Sequence, residues 1–490
     1  MRCIDPGARR LLLQLRLRGT VALAAGALAG CALGPDYTAP PEVAVASVAR
    51  GELLRAGAAQ ASPAAQPLPS AWWQALGDDT LSGLIEQALR DNPNLRAAQA
   101  RLRASRALAG QRRAEQLPQL GVSAGYVDVN PPRALERTLS EATAQDVDLG
   151  TGLYTVGFDA SWEIDVFGRR SRAAEGAAAR ADADEAALAD AQVQLGAELA
   201  QAYFGLLANR QALAVTERSQ AMLGEMLDLT RQRRARGAAT ELDIERLQAQ
   251  KLQQQAELPR LRAQIAIAQD QIAFLAGREP GSLDASLAAV QTLPNLPAQV
   301  EVDDAGTLIR RRPDVRQAER QLAASSAQIG EALSGYFPQI KLTGILGLGA
   351  DSLSGLTADS AAWMVSPMLS WSLLDFGRVR SRVEQARAGN EAQLALYENA
   401  VLNALQDANG ALSRFGAARQ QLATAQQASA SADRAATLMR QRHDAGVAST
   451  LDWLDVQRQQ LAAANQAVQA QAQLLVDYAA LQKSLGLGWR

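Results

Sequence analysis

An internal duplication is the feature that most constrains how this chain of 490 residues folds. Two early motifs recur at a sequence offset of 220: NPNL at 92–95 returns as RPDV, and LPQL at 117–120 returns as FPQI. Three later features recur at an offset of 209: VFGR at 166–169 returns as DFGR, Gly237 as Gly446, and Gly277 as Gly486. The offset falls by 11, which predicts an insertion of that length in the first copy, within 130–150. The chain is therefore expected to fold as two copies of one unit.

Each copy reads as helix, strand, loop, strand, long helix, turn and long helix. The strands alternate with period two: from Tyr154 to Ile164 the even positions are apolar and the odd ones small or polar. Segments 120–126, 340–348 and 363–373 alternate in the same way. Long strands with one apolar and one small polar face are typical of a membrane β-barrel. A soluble β-sandwich alternates likewise. However, the chain offers only four such strands, and a soluble sheet of that size would not need strands this long.

The helices are predicted to be very long. No proline interrupts Gly168 to Gly237 or Gly377 to Gly446, and a helix of that span reaches roughly 100 Å. Return helices are predicted from about 240 to 276 and from 449 to 485. Their alanine-rich seams, flanked by Gln and Arg, suit close coiled-coil packing. The predicted fold class is α+β, with four strands per chain joined to long helical hairpins.

Four strands cannot close a barrel in lipid, where open sheet edges are not tolerated. Two copies of the chain would give eight strands, whose interior fills with side chains, whereas three copies would give twelve and leave a passage. Because one face carries small residues, we expect a homotrimer with a twelve-stranded barrel continued by a hollow α-helical tube.

The N-terminus reads as an export signal. A basic region containing Arg9 and Arg16 precedes a short apolar run, and residues 28–31 are Leu-Ala-Gly-Cys. A signal peptide over 1–30 is predicted, followed by diacylation of Cys31 and an extended segment over 31–70. The alternative is an ordinary signal peptide that happens to end at a cysteine.

Composition excludes several classes of function. Net charge is −2, which argues against a nucleic-acid binder. One histidine, His443, and two cysteines cannot build a His/Cys metal site, and no catalytic constellation surrounds His443. We expect no enzyme activity, no metal and no cofactor other than the lipid on Cys31.

These features resemble the outer membrane factor family of TolC-like and OprM-like channels, in particular the lipoproteins of the NodT group. The resemblance rests on the Cys31 motif followed by Gly-Pro-Asp-Tyr at 34–37, the Trp72-Trp73 pair and the two Phe-Gly-Arg junctions. It implies repeats over 71–290 and 301–488, an outer-membrane location with extension into the periplasm, and homotrimers. It also implies a periplasmic adaptor (membrane fusion) protein and an inner-membrane RND transporter as partners, in efflux of drugs and other small molecules. Alternatives are a conduit for type I protein secretion or heavy-metal efflux, and a periplasmic coiled-coil scaffold without a channel.

The resemblance also suggests site residues. Asp452 and Asp455, after the second hairpin turn, would line a closed periplasmic gate; the alternative is that acids there cap the helix. The small residues at the two turns would contact the adaptor, and they are Gly237, Ala238, Gly446, Val447 and Ala448. Independently of the resemblance, Trp162, Trp363 and Trp371 lie at or near strand ends, where they fit an interfacial aromatic girdle. His443 could sense pH, but we expect a solvated histidine at a helix end.

Overall fold

The computed structural model describes most of the chain outside the N-terminal region. The described residues are 33–40, 43, 51, 53–57, 59, 61–64, 68–129, 151–290, 292–297 and 299–489. The predicted signal peptide, the lipidation site Cys31 and the predicted insertion in the first copy lie outside these ranges.

Each repeat contributes two short helices, a β-hairpin and a long helical hairpin. The first contains α1 (Asp79–Asp91), α2 (Pro93–Ala114), β2 (Gln119–Val129), β3 (Thr151–Ile164), α3 (Arg169–Ala235) and α4 (Glu241–Leu275). The second contains α6 (Ala305–Arg311), α7 (Pro313–Leu333), β5 (Gln339–Ala350), β6 (Ala361–Ser370), α8 (Arg378–Asp444) and α9 (Thr450–Ser484). Outside this plan lie β1 (Ser62–Pro63), α5 (Asp284–Ala288) and β4 (Glu301–Val302). The predicted order of elements in both copies and the α+β fold class are confirmed.

The chain divides into two compact units, each assembled from both repeats. Among the described residues, one comprises those up to Pro40 with those in 103–182 and 320–395, and contains the four long strands. The other comprises the described residues in 41–102, 183–319 and 396–490, and contains both hairpin turns. Among the described residues, no helix is long and apolar enough to cross a bilayer.

The four long strands form one antiparallel sheet in the order β2-β3-β5-β6. In the first hairpin Leu120 lies opposite Ala160, and in the second Ile340 lies opposite Leu369. These two pairs are related by the sequence offsets, 220 for the first strand and 209 for the second. The strand register thus reproduces the repeat found in the sequence.

Two glycines allow the repeats to join within the sheet. Gly157 of β3 lies opposite Gly347 of β5. A Cβ atom at Gly157 would come within 2.6 Å of the Cα atom of Gly347 and 2.7 Å of the carbonyl oxygen of Leu346. No side chain fits at that separation, so the junction between the copies depends on glycine at this point.

The unit that contains both hairpin turns repeats its contacts in the same way. The side-chain amide of Asn92 donates to the carbonyl of Leu275 at 2.9 Å, and the guanidinium of Arg312 donates to the carbonyl of Ser484 at 2.8 Å. Asn92 and Arg312 are related by the offset of 220, and their acceptors by the offset of 209. The short helices of each repeat are therefore attached to the end of its return helix by equivalent bonds, although the two donors differ chemically.

A group of buried aromatic residues lies in the core of the unit that contains the hairpin turns. Trp72 makes edge contacts with Trp73 at 5.9 Å and with Tyr478 at 5.7 Å between ring centroids. The hydroxyl of buried Tyr203 donates to Asp78 at 2.8 Å, and Asp78 also caps the first turn of α1. The Trp pair found in the sequence is thus part of this core.

Candidate functional site

One face of the sheet is apolar and exposed. The register places alternate residues of all four strands on this face in rows, such as Val122, Phe158 and Leu346 with Trp363. Its members that are about half or more exposed are Leu120, Val122, Tyr126, Phe158, Leu346, Trp363, Val365 and Leu369. A contiguous apolar surface of this kind marks a contact with lipid or protein rather than with water.

The opposite face is mostly small and polar. It carries Gly121, Ser123 and Gly125 on β2, and Thr155, Gly157, Asp159 and Ser161 on β3. Ile345, Met364 and Met368 interrupt it on the second hairpin. The face is therefore compatible with a water-filled interior, since its side chains leave space.

The three tryptophans predicted for a girdle lie near the two ends of the strands. The indole N–H of Trp162 donates to the carbonyl of Gln116 at 2.9 Å, and that of Trp371 donates to the carbonyl of Tyr336 at 3.0 Å. These two bonds are again related by the offsets 209 and 220. Trp363 lies near the start of β6 and is 77% exposed. The girdle remains a prediction, with two members at one rim and one near the other.

Charged residues link the end of β3 to α3. Glu163 pairs with Arg170 at 2.9 Å and also with Arg169, and Arg170 pairs with Glu115 at 2.9 Å. In the second repeat the positions of Arg170 and Glu115 are held by Val379 and Gly335, which lie close together. The same junction is therefore ionic in one copy and apolar in the other.

The segment 33–37 is clasped onto the sheet-bearing unit. Buried Arg172 donates to the carbonyl of Leu33 at 3.0 Å and pairs with Asp36 at 2.5 Å. Gly34, at φ +96°, lies so close to the helix α7 that a Cβ atom on it would be 2.5 Å from the Cα atom of Gly330. The Gly-Pro-Asp-Tyr stretch is visible in the sequence, but its docking is not predictable there, because its partners Arg172 and Gly330 are distant in sequence.

Tyr37 completes this clasp. The guanidinium of Arg320 lies over its ring at 5.7 Å, and the ring packs against buried alanines of two helices, Ala179, Ala323 and Ala324. Small side chains on those helices create the space that the ring fills.

The two hairpin turns have matching backbone geometry. Gly237 has φ +73° and Gly446 has φ +77°, the left-handed conformation that ends a helix. The N–H groups of Ala238 and Val447 each return to a carbonyl of the preceding helix at 2.9 Å. Val447 is exposed, and the space around either glycine's Cβ position is open. The glycines end the helices, and the turns present an accessible surface.

Asp452 caps helix α9. Its Oδ2 accepts from the backbone N–H of Ser449 at 3.2 Å and from the Ser449 hydroxyl at 2.6 Å, while the Ser449 hydroxyl accepts from the Asp452 N–H. Asp243 forms the same box with Thr240. These bonds from Ser449 and Thr240 hold the pKa of each carboxyl below its usual range. The capping role is present, and the gate role of Asp452 remains a prediction.

Asp455 lies one turn farther along the helix. It pairs with Arg458 at 2.7 Å and accepts from Gln459 at 2.8 Å. Its side chain is about half exposed, and the counterpart in the first repeat is Arg246. Of the two hairpins, only the second therefore carries acids at both i and i+3.

The expectation of a solvated His443 is wrong. Its ring is 3% exposed and stacks on Trp453 with 4.5 Å between centroids. The guanidinium of Arg233 lies 3.0 Å from its Nε2, and since guanidinium only donates, Nε2 accepts. Around Trp453 lies an apolar cluster of Leu223, Met226, Leu227, Ile244, Leu247 and Leu454. Helix position alone did not reveal this packing between the two hairpins.

Burial lowers the pKa of His443 below its ordinary value of 6.5, and the nearby Arg233 lowers it further, while Asp444 opposes both. A histidine whose native pKa is depressed takes up protons more readily when its surroundings open. The packing of the two helical hairpins around His443 and Trp453 therefore loses stability as pH falls from 6.5 toward the native pKa.

We predict that protonation of His443 at acid pH destabilises the packing of the two helical hairpins around it. In this pH range, protection of backbone amides near Trp453, corrected for intrinsic exchange, should fall in the native protein. His443→Phe, which keeps an aromatic ring against Trp453 but cannot titrate, should remove this dependence. The same loss of protection in both proteins would contradict the assignment.

The clasp yields a second prediction. Gly330→Ala places a methyl group against the carbonyl of Leu33 and should displace segment 33–37. Loss of N-terminal residues to proteinase K, followed by mass spectrometry, should accelerate several-fold. The matched control is Gly389→Ala, another helical glycine of the same unit with open space around it, which gains helix propensity without a clash. Equal cleavage in both variants would refute the clasp.

Comparison with known proteins agrees with this architecture. A model of the family described as outer membrane efflux protein matches residues 84–278 and 305–487. The solvent efflux pump outer membrane protein SrpC of Pseudomonas putida is 30% identical, over 94% of this chain and 96% of its own. Nodulation protein T of Rhizobium leguminosarum bv. trifolii is 29% identical, over 94% and 95%. The solved outer-membrane channel OprN is 34% identical, covers 94% of this chain and 100% of its own, and has a TM-score of 0.82.

Proposed function

Since the chain belongs to the outer membrane efflux protein family, we propose that three copies of it form the outer-membrane exit duct of a tripartite efflux pump. The observation that carries the proposal is the exposed apolar sheet face, on strands whose outer edges are unpaired within the described residues. Solutes would move down the duct without chemical change, so its residues shape and gate a passage.

The choice of three copies follows from the inner face. Four strands per chain would give twelve in a trimer, and a ring larger than eight strands leaves an open interior. Small residues such as Gly121, Ser123 and Gly157 would leave that interior wide. Pairing between copies would also satisfy the two open edges, which lipid does not tolerate.

The clasp supports an orientation in the membrane. Cys31 is two residues from Leu33, so its Cα atom lies at most about 7 Å from that of Leu33. Arg172, which holds the carbonyl of Leu33, lies in the first turn of α3. The lipid would therefore enter the periplasmic leaflet near the β3–α3 junction, on the side of Trp162 and Trp371. Trp363 would face the outer surface.

The hairpin turns would face the periplasm and the pump. Their open glycine geometry supports a tip-to-tip contact of Gly237, Ala238, Gly446, Val447 and Ala448 with a periplasmic adaptor protein. The adaptor would in turn couple the duct to an inner-membrane RND transporter. Small organic molecules are the proposed cargo, since the relative SrpC is named for solvent efflux.

A pair of adjacent substitutions tests the membrane face. We predict that Val122→Asp, on the apolar face, prevents stable insertion, because a carboxylate facing hydrocarbon costs on the order of 1–3 kcal/mol in each copy. Ser123→Asp, on the opposite face of the same strand, should insert normally. The measurement is the amount of each protein in washed outer-membrane fractions. Equal amounts would favour a sheet in water and the scaffold alternative.

The gate makes a separate prediction. Asp452→Ala combined with Asp455→Ala should raise the resting conductance of the channel in planar bilayers, since three copies would lose stacked rings of carboxylate. Asp243→Ala is the control, because it removes the same type of helix cap from the first hairpin without touching the acidic pair. The gate assignment fails if the double variant has the resting conductance of the native channel. It fails likewise if Asp243→Ala raises the resting conductance as much as the double variant does.

A further inference from the structure

The only histidine of the chain joins the two helical hairpins near their turns. His443 lies in the last turn of α8, and its ring contacts α3 through Arg233 and α9 through the stacked ring of Trp453. Trp453 packs in turn on apolar side chains of α3 and α4. The imidazole therefore lies where helices of both hairpins meet.

The first repeat has an ordinary helix end at the same place. At the offset of 209, the counterpart of His443 is Arg234 and that of Trp453 is Ile244. Arg234 is about half exposed and forms an ion pair with Glu241. A cation in the last turn of a helix interacts favourably with the helix dipole while it remains in water. Burial of a titratable ring at this position is thus specific to the second hairpin.

The two ring nitrogens of His443 have different surroundings. Nε2 accepts from the guanidinium of Arg233 at 3.0 Å, so the single proton of the neutral ring is on Nδ1. Nδ1 is buried and has no hydrogen-bond partner among the described residues, and an oxygen of Asp444 lies 3.8 Å from it. A second proton can therefore enter only at Nε2, against a guanidinium that has no acceptor to offer.

Protonation would replace an attraction by a repulsion. The imidazolium and Arg233 would then face each other as two cations and two donors in a buried site. From α8 the charged neighbour is Asp444, whose side chain is 59% exposed and therefore screened by water. From α9 and α4 the contact contains Trp453, Ile244 and Leu247, which carry no charge. Separation of α3 from α8 and α9 is the movement that relieves the repulsion.

The first turns of α9 connect this contact to the proposed gate. Trp453 directly follows Asp452 and precedes Asp455 by two residues. The two carboxyls bond to Ser449 and Arg458, which belong to the same end of α9, whereas the Trp453 ring is buried against α3. The position of the two carboxylates relative to α3 therefore depends on Trp453 and on the imidazole stacked against it.

We propose that His443 is an acid sensor of the duct: when its ring takes up a proton at Nε2, the first turns of α9 are released from α3, and Asp452 and Asp455 leave the closed arrangement of the gate. This inference rests on the proposed channel and its gate, and it adds a condition under which the gate opens. The sensor acts over a defined range of pH. Opening returns the pKa of His443 toward its ordinary value of 6.5, so opening gains as pH falls below 6.5 and gains no more below the depressed pKa of the closed state.

Conductance of the full-length trimer in planar bilayers tests the sensor. Between about pH 7.5 and pH 5.5 the resting conductance should rise several-fold, because opening and proton uptake favour each other. His443→Gln, whose amide oxygen can accept from Arg233 but whose side chain does not titrate, should show no such rise. A rise of the same size in His443→Gln, or no rise in the native channel, would overturn the proposal. Absence of conductance at every pH, both in the native protein and in Asp452→Ala with Asp455→Ala, would instead overturn the proposed channel.

Substitution of the neighbouring cation makes the test specific. Arg233→Gln removes the charge that faces Nε2, so the pKa of His443 should move toward 6.5 and the rise in conductance at acid pH should become smaller. Arg234→Gln is the matched control, since Arg234 pairs with Glu241 instead, and it should keep the native rise. Because the chain has one histidine, nuclear magnetic resonance of its ring in detergent-solubilised trimers measures that pKa directly. An unchanged pKa or an unchanged rise in Arg233→Gln, or an equal reduction in Arg234→Gln, would refute the coupling of the sensor to Arg233.

Discussion

The structure depends on one constraint, that peptide groups placed in hydrocarbon must be paired with each other. Four antiparallel strands satisfy their inner hydrogen bonds and leave two outer rows of N–H and C=O groups. The apolar side chains on one face of the same strands are also exposed in the single chain. In the proposed channel, association of copies would pair the outer rows of peptide groups, and membrane insertion would cover the apolar face. The long helices then continue from strands whose positions are fixed by that pairing.

Duplication gives the two halves of the chain the same internal contacts. The hairpin register, the tryptophan bonds and the attachment of the return helices all recur at the two sequence offsets. The copies also differ in places: Glu115 with Arg170 is replaced by Gly335 with Val379.

Much of this was predictable because it is periodic. Alternation along each strand identified the two faces, and Gly237 and Gly446 located both hairpin turns to within a few residues. The failures were tertiary. His443 occupies the last turn of a helix, where a solvated residue is ordinary, and only its meeting with Trp453 and Arg233 made it buried. The clasp of Leu33 by Arg172 and the short parallel pair of β1 with β4 join segments far apart in the sequence, without any local pattern to announce them.

The central claim is that a single chain holds one third of a closed barrel. Native mass spectrometry of the protein released from outer membranes in mild detergent tests it most directly. The account predicts one dominant species of three copies, stable until the detergent is stripped. A species of two copies would contradict the open bore, and single chains would contradict the closure of the sheet by neighbouring copies.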